Sequence, residues 1–316
     1  MTEVLLPVRD YDLAATLDSG QVFRWVRSPD SPTSWTGVVE KQHVRLTQKP
    51  EGILAHTDAP AENWDWLREF LQTEIELKKI LVTFPDDEPM RAAVAACHGL
   101  RLLRQDPWEC LASFILSSTK QIVQIRQIIT LLCERFGEPV NRVGRAVPCP
   151  PPSTNEGVRA FCSGAHGVTR PTGMEKNITL YSFPSPQRLA ACSEAELRAC
   201  KMGFRAPALL AAARSIADGR LDLEKIRRLD YAVARAELMT LRGVGGKIAD
   251  CVLLFAYGFD AAFPVDVWIE RALQRLYFPR RRASEKRLRH FAATHFGPHA
   301  GYAQQYLFHY MRTKLK

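Results

Sequence analysis

Residues 241–268 read LRGVGGKIADCVLLFAYGFDAAFPVDVW, and this stretch narrows the possible folds of the chain more than any composition figure does. The run Leu241-Arg242-Gly243-Val244-Gly245 is a glycine-punctuated hairpin that leads directly into an apolar helix with Lys247 in its first turn. About twenty residues later Asp266 follows Pro264-Val265, at the start of what reads as another helix. A tight turn opening a helix presents backbone N–H groups that have no partner of their own, a natural seat for phosphate. A lysine beside such a seat is either a phosphate clamp or, if its amine is uncharged, a nucleophile. A plain reading stands beside these two: a generic helical hairpin with a solvated lysine and a helix-capping aspartate.

At 316 residues the chain is long enough for one large domain or two to three subdomains with ample core. Its 43 Lys+Arg against 34 Asp+Glu leave a net charge of +9, which favours a polyanionic partner such as nucleic acid. The start of the chain, Met1-Thr2-Glu3-Val4, has no basic stretch followed by an apolar run, and no apolar segment approaches membrane-spanning length. These features predict a soluble, intracellular protein with no membrane partner, located in the cytoplasm and nucleoid if the source is bacterial. The eight cysteines (97, 110, 133, 149, 162, 192, 200 and 251) form no Cys-x-x-Cys pair, and none follows the Asp266 helix. They read as small hydrophobes on helix faces, which argues against a disulfide framework, a zinc site or an iron–sulfur cluster.

The hydrophobic pattern changes along the chain. Residues 1–58 hold short runs rich in β-branched and aromatic residues (DSGQVFRW, SWTGVVEKQHVRLTQ, EGILAHT) separated by turn formers, which predicts an antiparallel sheet. From about Glu62 the period becomes helical, beginning with NWDWLREFLQTEIELKKIL. Further helices are predicted near 87–97, 108–117, 120–136, 186–200, 205–217, 222–228, 231–239, 246–257, 266–277, 284–295 and 298–313. The stretch 138–186, rich in Pro, Gly and Arg, lacks this period and reads as a mobile insertion between two helices. The fold class is therefore α+β: an N-terminal antiparallel sheet subdomain over 1–85, with a flanking helix, and a mostly helical body over 86–316 that carries the hairpin at about 231–257.

Five blocks occur in a fixed order: LDSGQVFRW (17–25), LLRQDPWECLASFILSS (102–118), MGFRA (202–206), the hairpin block (241–268) and GPHAGYAQQYLF (297–308). Together they resemble the 8-oxoguanine DNA glycosylases with AP lyase activity, in the helix-hairpin-helix, Gly/Pro-Asp superfamily of base-excision enzymes. The resemblance implies a small antiparallel sheet beside two helical subdomains, with the active site in the cleft between them. It further implies a partner, double-stranded DNA containing oxidised guanine, no cofactor, and action as a monomer.

Site roles follow from the same resemblance. Lys247 is expected to attack C1′ of the flipped nucleotide, displacing the damaged base and leaving a Schiff base from which β-elimination nicks the strand. That chemistry demands a neutral amine, which burial, nearby positive charge or the helix N-terminal dipole would favour. Asp266 is expected to cap its helix and to stabilise cationic character at C1′. For the extruded base, Phe308 is expected to stack, Gln304 one turn earlier to read the Watson–Crick edge, and Cys251 to lie against the opposite face. Gly20 matches a glycine whose carbonyl accepts the N7–H that 8-oxoguanine has and guanine lacks. DNA grip is expected from the hairpin amides around Gly243, Gly245 and Lys247, and a monovalent cation from the carbonyls of Met239, Leu241 and Val244. Phe204 takes the place of an aromatic wedge and Arg205 that of an arginine binding the estranged cytosine. The basic run Arg280, Arg281, Arg282, Lys286, Arg287 and Arg289 reads first as a solvated helix face, with added phosphate attraction as the alternative.

Three departures stand out. Thr119-Lys120-Gln121 replaces an asparagine run, Gln124 replaces a second cytosine-reading arginine, and Trp268 replaces a phosphate-contacting histidine. Thr119, Lys120 and Trp268 remain candidate DNA contacts, and Arg205 is left to supply most of any preference for cytosine opposite the lesion. Two other functions stay open at this level: a glycosylase for another damaged base, and a non-catalytic DNA-binding protein that uses the hairpin alone.

Overall fold

The computed structural model describes residues 2–58, 62–118, 121–140, 180–280 and 282–314. Alternating burial in the first 58 residues produces a five-stranded sheet: β1 (Thr2–Pro7), β2 (Val26–Arg27), β3 (Ser34–Val39), β4 (Gln42–Lys49) and β5 (Gly52–Thr57). The strand order is β1-β5-β4-β3-β2, antiparallel throughout, with Thr2 opposite Thr57 and Val44 opposite the same Thr57 on the other side. Leu6, Trp35, Val44, Leu46, Ile53 and Ala55 are buried against the helices Leu13–Asp18 and Asp65–Leu71.

One expected strand is mostly something else. The run DSGQVFRW (18–25) contributes no residue to the sheet, where β2 is only the pair Val26–Arg27 that follows it; Leu13–Asp18 is a helix, capped by Asp12 accepting from the Ala15 amide at 2.8 Å. What holds Ser19–Trp25 out of the sheet is Gln21, fully buried. Its Nε2 donates to the carbonyls of Thr16 (2.9 Å) and Arg101 (2.8 Å), and its Oε1 accepts from the Leu103 amide at 2.8 Å. The Gln21 carbonyl in turn accepts from Gln105 Nε2 at 2.9 Å, and the Gln105 amide donates to Phe255 O at 2.8 Å. A chain of buried bonds thus runs from the turn at Gly20 to the helix that follows Lys247. Beside it Arg101, also fully buried, donates to the carbonyls of Arg9 at 3.0 Å and Asp10 at 3.2 Å.

The helical body follows the predicted order with three breaks. The run 62–81 splits into Asp65–Leu71 and Leu77–Leu81 because Gln72 is left-handed (φ 55°), and the Thr73 amide closes back onto Arg68 O. The run 186–200 becomes Pro186–Ala190, Glu194–Leu197 and a wide turn over Arg198–Met202 in which Lys201 is left-handed (φ 62°). The helix from Gly246 is regular to Val252 and then widens over Leu253–Tyr257. The expected insertion 138–186 is described only at its ends, where Pro139–Val140 pairs with Leu180–Tyr181; residues 141–179 lie outside the described residues. Among the described residues no helix is long and apolar enough to cross a membrane.

Replacing Gln21 by Ala strands two buried carbonyls and an amide at the junction of sheet and helices. We expect a loss of about 2–4 kcal/mol, since each orphaned buried group costs on the order of 1–3 kcal/mol with partial relaxation. Urea unfolding checks it: the midpoint should fall with an unchanged m-value, and an unchanged midpoint contradicts the role given to Gln21.

Candidate active site

The hairpin forms because its two helices are clamped by a buried charge. Asp250, 3% exposed, accepts from Tyr231 Oη at 2.8 Å and Arg235 Nε at 2.7 Å, tying Gly246–Val252 to Tyr231–Met239. Gly243 reverses the chain in the left-handed region (φ +81°), where a Cβ would also stand 2.8 Å from that of Ala208. Val244 donates to Leu241 O at 3.1 Å, and both side chains are buried while Met239 is exposed. Gly245 is the N-cap, with open space where a side chain would be, and the first-turn amides of Gly246 and Lys247 have no intrahelical acceptor.

Lys247 is half-buried at the second position of this helix. Its Nζ lies 3.4 Å from Ser117 Oγ and 5.1 Å from the centre of the Phe114 ring, and among the described residues it forms no ion pair. One turn on, Cys251 is buried; burial pushes its thiol up to about 12, against the opposing pull of Lys247 beside it. Asp266 is the N-cap of Val267–Tyr277, its Oδ1 accepting from the Ile269 amide at 2.9 Å. The carboxylate is thereby pinned while it remains half-buried at the cavity wall.

The facing wall comes from the helix Ala300–Thr313, where Gln304, Phe308 and Arg312 follow at four-residue intervals and share one face. Gln304 is 4% exposed and among the described residues its Oε1 has no hydrogen-bond partner; the same holds for the buried Nη1 of Arg312. The Arg312 guanidinium carbon lies 5.2 Å from the Phe308 ring centre. Gln305 Nε2 donates to Ser19 O at 3.2 Å, fastening this helix to the Gly20 turn. Gly20 is left-handed (φ +85°), and a Cβ there would sit 3.0 Å from Ile122 Cδ1, 3.2 Å from Arg312 Nη1 and 3.4 Å from Phe308 Cε1. The result is a cavity of roughly 470 Å³ on which Gly20, Ser117, Lys247, Cys251, Asp266, Gln304, Phe308 and Arg312 converge. That volume suits a small ligand held between a mainly apolar wall and a few polar groups.

The expected DNA contacts lie around this mouth in different states. Phe204 is 66% exposed on the short turn Gly203–Arg205. Arg205 is buried, donating to the carbonyls of Met202 (3.3 Å) and Ser118, with its guanidinium carbon 4.3 Å from the Phe204 ring centre. Trp268 lies at the cavity rim, with the Arg271 guanidinium 5.7 Å from its ring. Gln124 accepts from the Gln121 amide at 3.2 Å, so its side chain is engaged in closing the start of its own helix. Thr119, Lys120 and Arg281 lie outside the described residues. Among the described residues no three His, Cys, Asp or Glu side chains gather in a metal-holding group.

Comparison with known proteins places this arrangement. A family model described as HhH-GPD superfamily base excision DNA repair protein matches residues 112–296, and one described as 8-oxoguanine DNA glycosylase, N-terminal domain, matches 3–111. The chain belongs to the HhH-GPD superfamily. A relative from Methanothermobacter thermautotrophicus named "Probable N-glycosylase/DNA lyase" is 30% identical over 97% of this chain and 95% of its own. The N-glycosylase/DNA lyase of Saccharomyces cerevisiae is 28% identical over 84% of this chain and 68% of its own. Among solved structures, Clostridium acetobutylicum 8-oxoguanine glycosylase/lyase in complex with double-stranded DNA superposes with a TM-score of 0.82. It is 27% identical, over 99% of both chains. This HhH-GPD chain therefore shares its fold from the sheet through the last described helix.

Four participants were not anticipated from the sequence. Ser117 and Phe114 contact Lys247, Asp250 clamps the hairpin, and Arg312 lines the cavity. Arg312 alone left a legible trace, as the third member of the Gln304–Phe308 series.

With its thiol buried and pushed to about 12, Cys251 should remain neutral at pH 7–9. Site-resolved mass spectrometry after iodoacetamide treatment of the folded protein is expected to find it unmodified at pH 8. Alkylation at the rate of a free thiol would contradict the burial that holds this thiol in its protonated form.

Proposed function

We propose that this HhH-GPD protein is a bifunctional DNA glycosylase/AP lyase that flips 8-oxoguanine out of duplex DNA and excises it. The observation that carries the reading is the convergence on one base-sized cavity of an amine with no ion pair among the described residues, a pinned carboxylate and an amide–aromatic pair. The relatives named N-glycosylase/DNA lyase support the reaction class, and the Clostridium complex, which holds cytosine opposite 8-oxoguanine, supports the substrate.

In this reading the extruded base enters between Phe308 and Cys251, stacking on the ring while Gln304 meets its Watson–Crick edge and the Gly20 carbonyl accepts N7–H. Guanine, with no proton on N7, leaves that buried acceptor unpaired and is disfavoured. Lys247 Nζ, uncharged, forms a bond to C1′ as the C1′–N9 bond breaks and its electron pair leaves with the base. Asp266 faces the positive charge that develops on the sugar, its carboxylate held in place by the Ile269 amide. A proton then passes from the new C1′–nitrogen centre to O4′ as the C1′–O4′ bond breaks, opening the sugar ring and leaving a Schiff base between Nζ and C1′. Removal of a C2′ proton then expels the 3′ phosphate oxygen and nicks the strand. The hairpin amides at Gly245–Lys247 seat a backbone phosphate, and Phe204 projects as the wedge that fills the vacated stack. The groups lining the cavity come from one chain, in keeping with action as a monomer. Arg205 must leave its carbonyl partners to reach an estranged cytosine. Opposite-base preference therefore carries the cost of that rearrangement.

Borohydride added to enzyme and an 8-oxoguanine duplex should trap a covalent adduct, which Lys247→Gln abolishes; an adduct that persists in the variant contradicts the assignment of the nucleophile. Asp266→Asn retains a capping side chain and should fold normally. Its single-turnover excision rate is expected to fall about 10²- to 10³-fold, the scale of losing one transition-state electrostatic contact. Turnover at the wild-type rate removes Asp266 from the chemistry.

A further inference from the structure

We propose that Arg312 is a further base-contacting group of this cavity, its Nη1 donating a hydrogen bond to the O8 oxygen of the extruded 8-oxoguanine. The proposal rests on the reading of the pocket as an 8-oxoguanine slot. Three observations point to it. Arg312 occupies the same face of Ala300–Thr313 as Gln304 and Phe308, one further turn along, and lines the same cavity. Its Nη1 is buried with no hydrogen-bond partner, and among the described residues the side chain forms no ion pair. Of the two carboxylates whose charge reaches Arg312, Asp266 caps its own helix through the Ile269 amide at 2.9 Å, and Asp18 pairs with Arg27 at 2.9 Å and Arg126 at 3.7 Å. A buried donor atom left unpaired is costly, and a ligand acceptor that reaches it removes that cost.

The position of that donor selects the ligand atom. Nη1 lies 3.2 Å from where a Cβ on Gly20 would stand, beside the residue whose carbonyl is proposed to accept N7–H. In 8-oxoguanine N7–H and C8=O8 are adjacent and form one amide-like edge, a donor next to an acceptor. An acceptor on Gly20 and a donor on Arg312 complement that edge as a pair, whereas guanine offers a bare N7 and a C8–H. When the C1′–N9 bond breaks, its electron pair enters the purine and O8 shares the negative charge. The Arg312 contact therefore strengthens in the transition state and affects excision more than binding.

The test compares Arg312→Met, which keeps the aliphatic stem on Phe308, with the wild type on three duplexes containing 8-oxoguanine, 8-thioguanine or a preformed abasic site. Sulfur at C8 retains N7–H but is a poorer acceptor. Arg312→Met should slow single-turnover excision of 8-oxoguanine about 10- to 100-fold, the range of a lost charge-assisted hydrogen bond. It should remove most of the wild-type preference for the oxo over the thio lesion. Borohydride trapping at the abasic site, where no base fills the cavity, should stay within about twofold of wild type. Arg312→Lys provides a second variant with the charge retained and is expected to fall between the two. Equal slowing on oxo and thio lesions, or an equal loss at the abasic site, overturns the proposal and assigns Arg312 to a phosphate contact or to packing. A wild-type enzyme that neither excises 8-oxoguanine nor traps it would instead overturn the functional reading beneath it.

Discussion

The cavity exists because a single buried amide, Gln21, binds the N-terminal turn to the 101–105 segment. Its side chain satisfies two carbonyls and one amide that come from opposite sides of the molecule, and its own carbonyl passes the connection through Gln105 to Phe255. Gly20, one residue earlier, is thereby held at a fixed distance from the helix that carries Lys247. The same turn receives Gln305 from the helix of Gln304 and Phe308. Three walls of the cavity are referenced to one residue. A slot that must distinguish a lesion from guanine by one proton needs walls set that firmly.

The energetics of the site are those of polar groups held ready for a partner they lack. Among the described residues Gln304 Oε1 and Arg312 Nη1 are buried and unpaired, and Lys247 has a hydroxyl and an aromatic face as neighbours but no carboxylate partner. A buried unpaired polar atom costs stability, offset elsewhere by the apolar core around the hairpin helices and by the Asp250–Arg235 clamp at 2.7 Å. Asp266 shows the complementary device. A bond from the Ile269 amide fixes its carboxylate in place, so no reorganisation is needed when charge develops nearby.

Much of this was legible in the sequence. The glycines of the hairpin, the aspartate before an amphipathic helix and the four-residue spacing of Gln304 and Phe308 all obey local rules, and the structure places each where those rules put it. The failures came where tertiary contacts override local pattern. DSGQVFRW carries strand-forming residues, yet buried bonds from Gln21 hold most of it as a turn. Gln72 and Lys201 adopt left-handed backbone without being glycine, so nothing in the sequence marked the breaks they make. The second of those breaks immediately precedes the turn that presents Phe204. Ser117 was invisible because its partner is 130 residues away, and the inward turn of Arg205 depends on carbonyls at Ser118 and Met202 that no local pattern predicts.

The central claim is that the amine at position 247 meets C1′ of an extruded nucleotide inside this cavity. The most direct measurement is proteolysis of the borohydride-reduced protein–DNA complex followed by tandem mass spectrometry of the cross-linked peptide. The account predicts the sugar remnant on the Lys247 side chain, within the peptide that contains Ile248 and Cys251. A remnant on another lysine or on the N-terminal amine would contradict it.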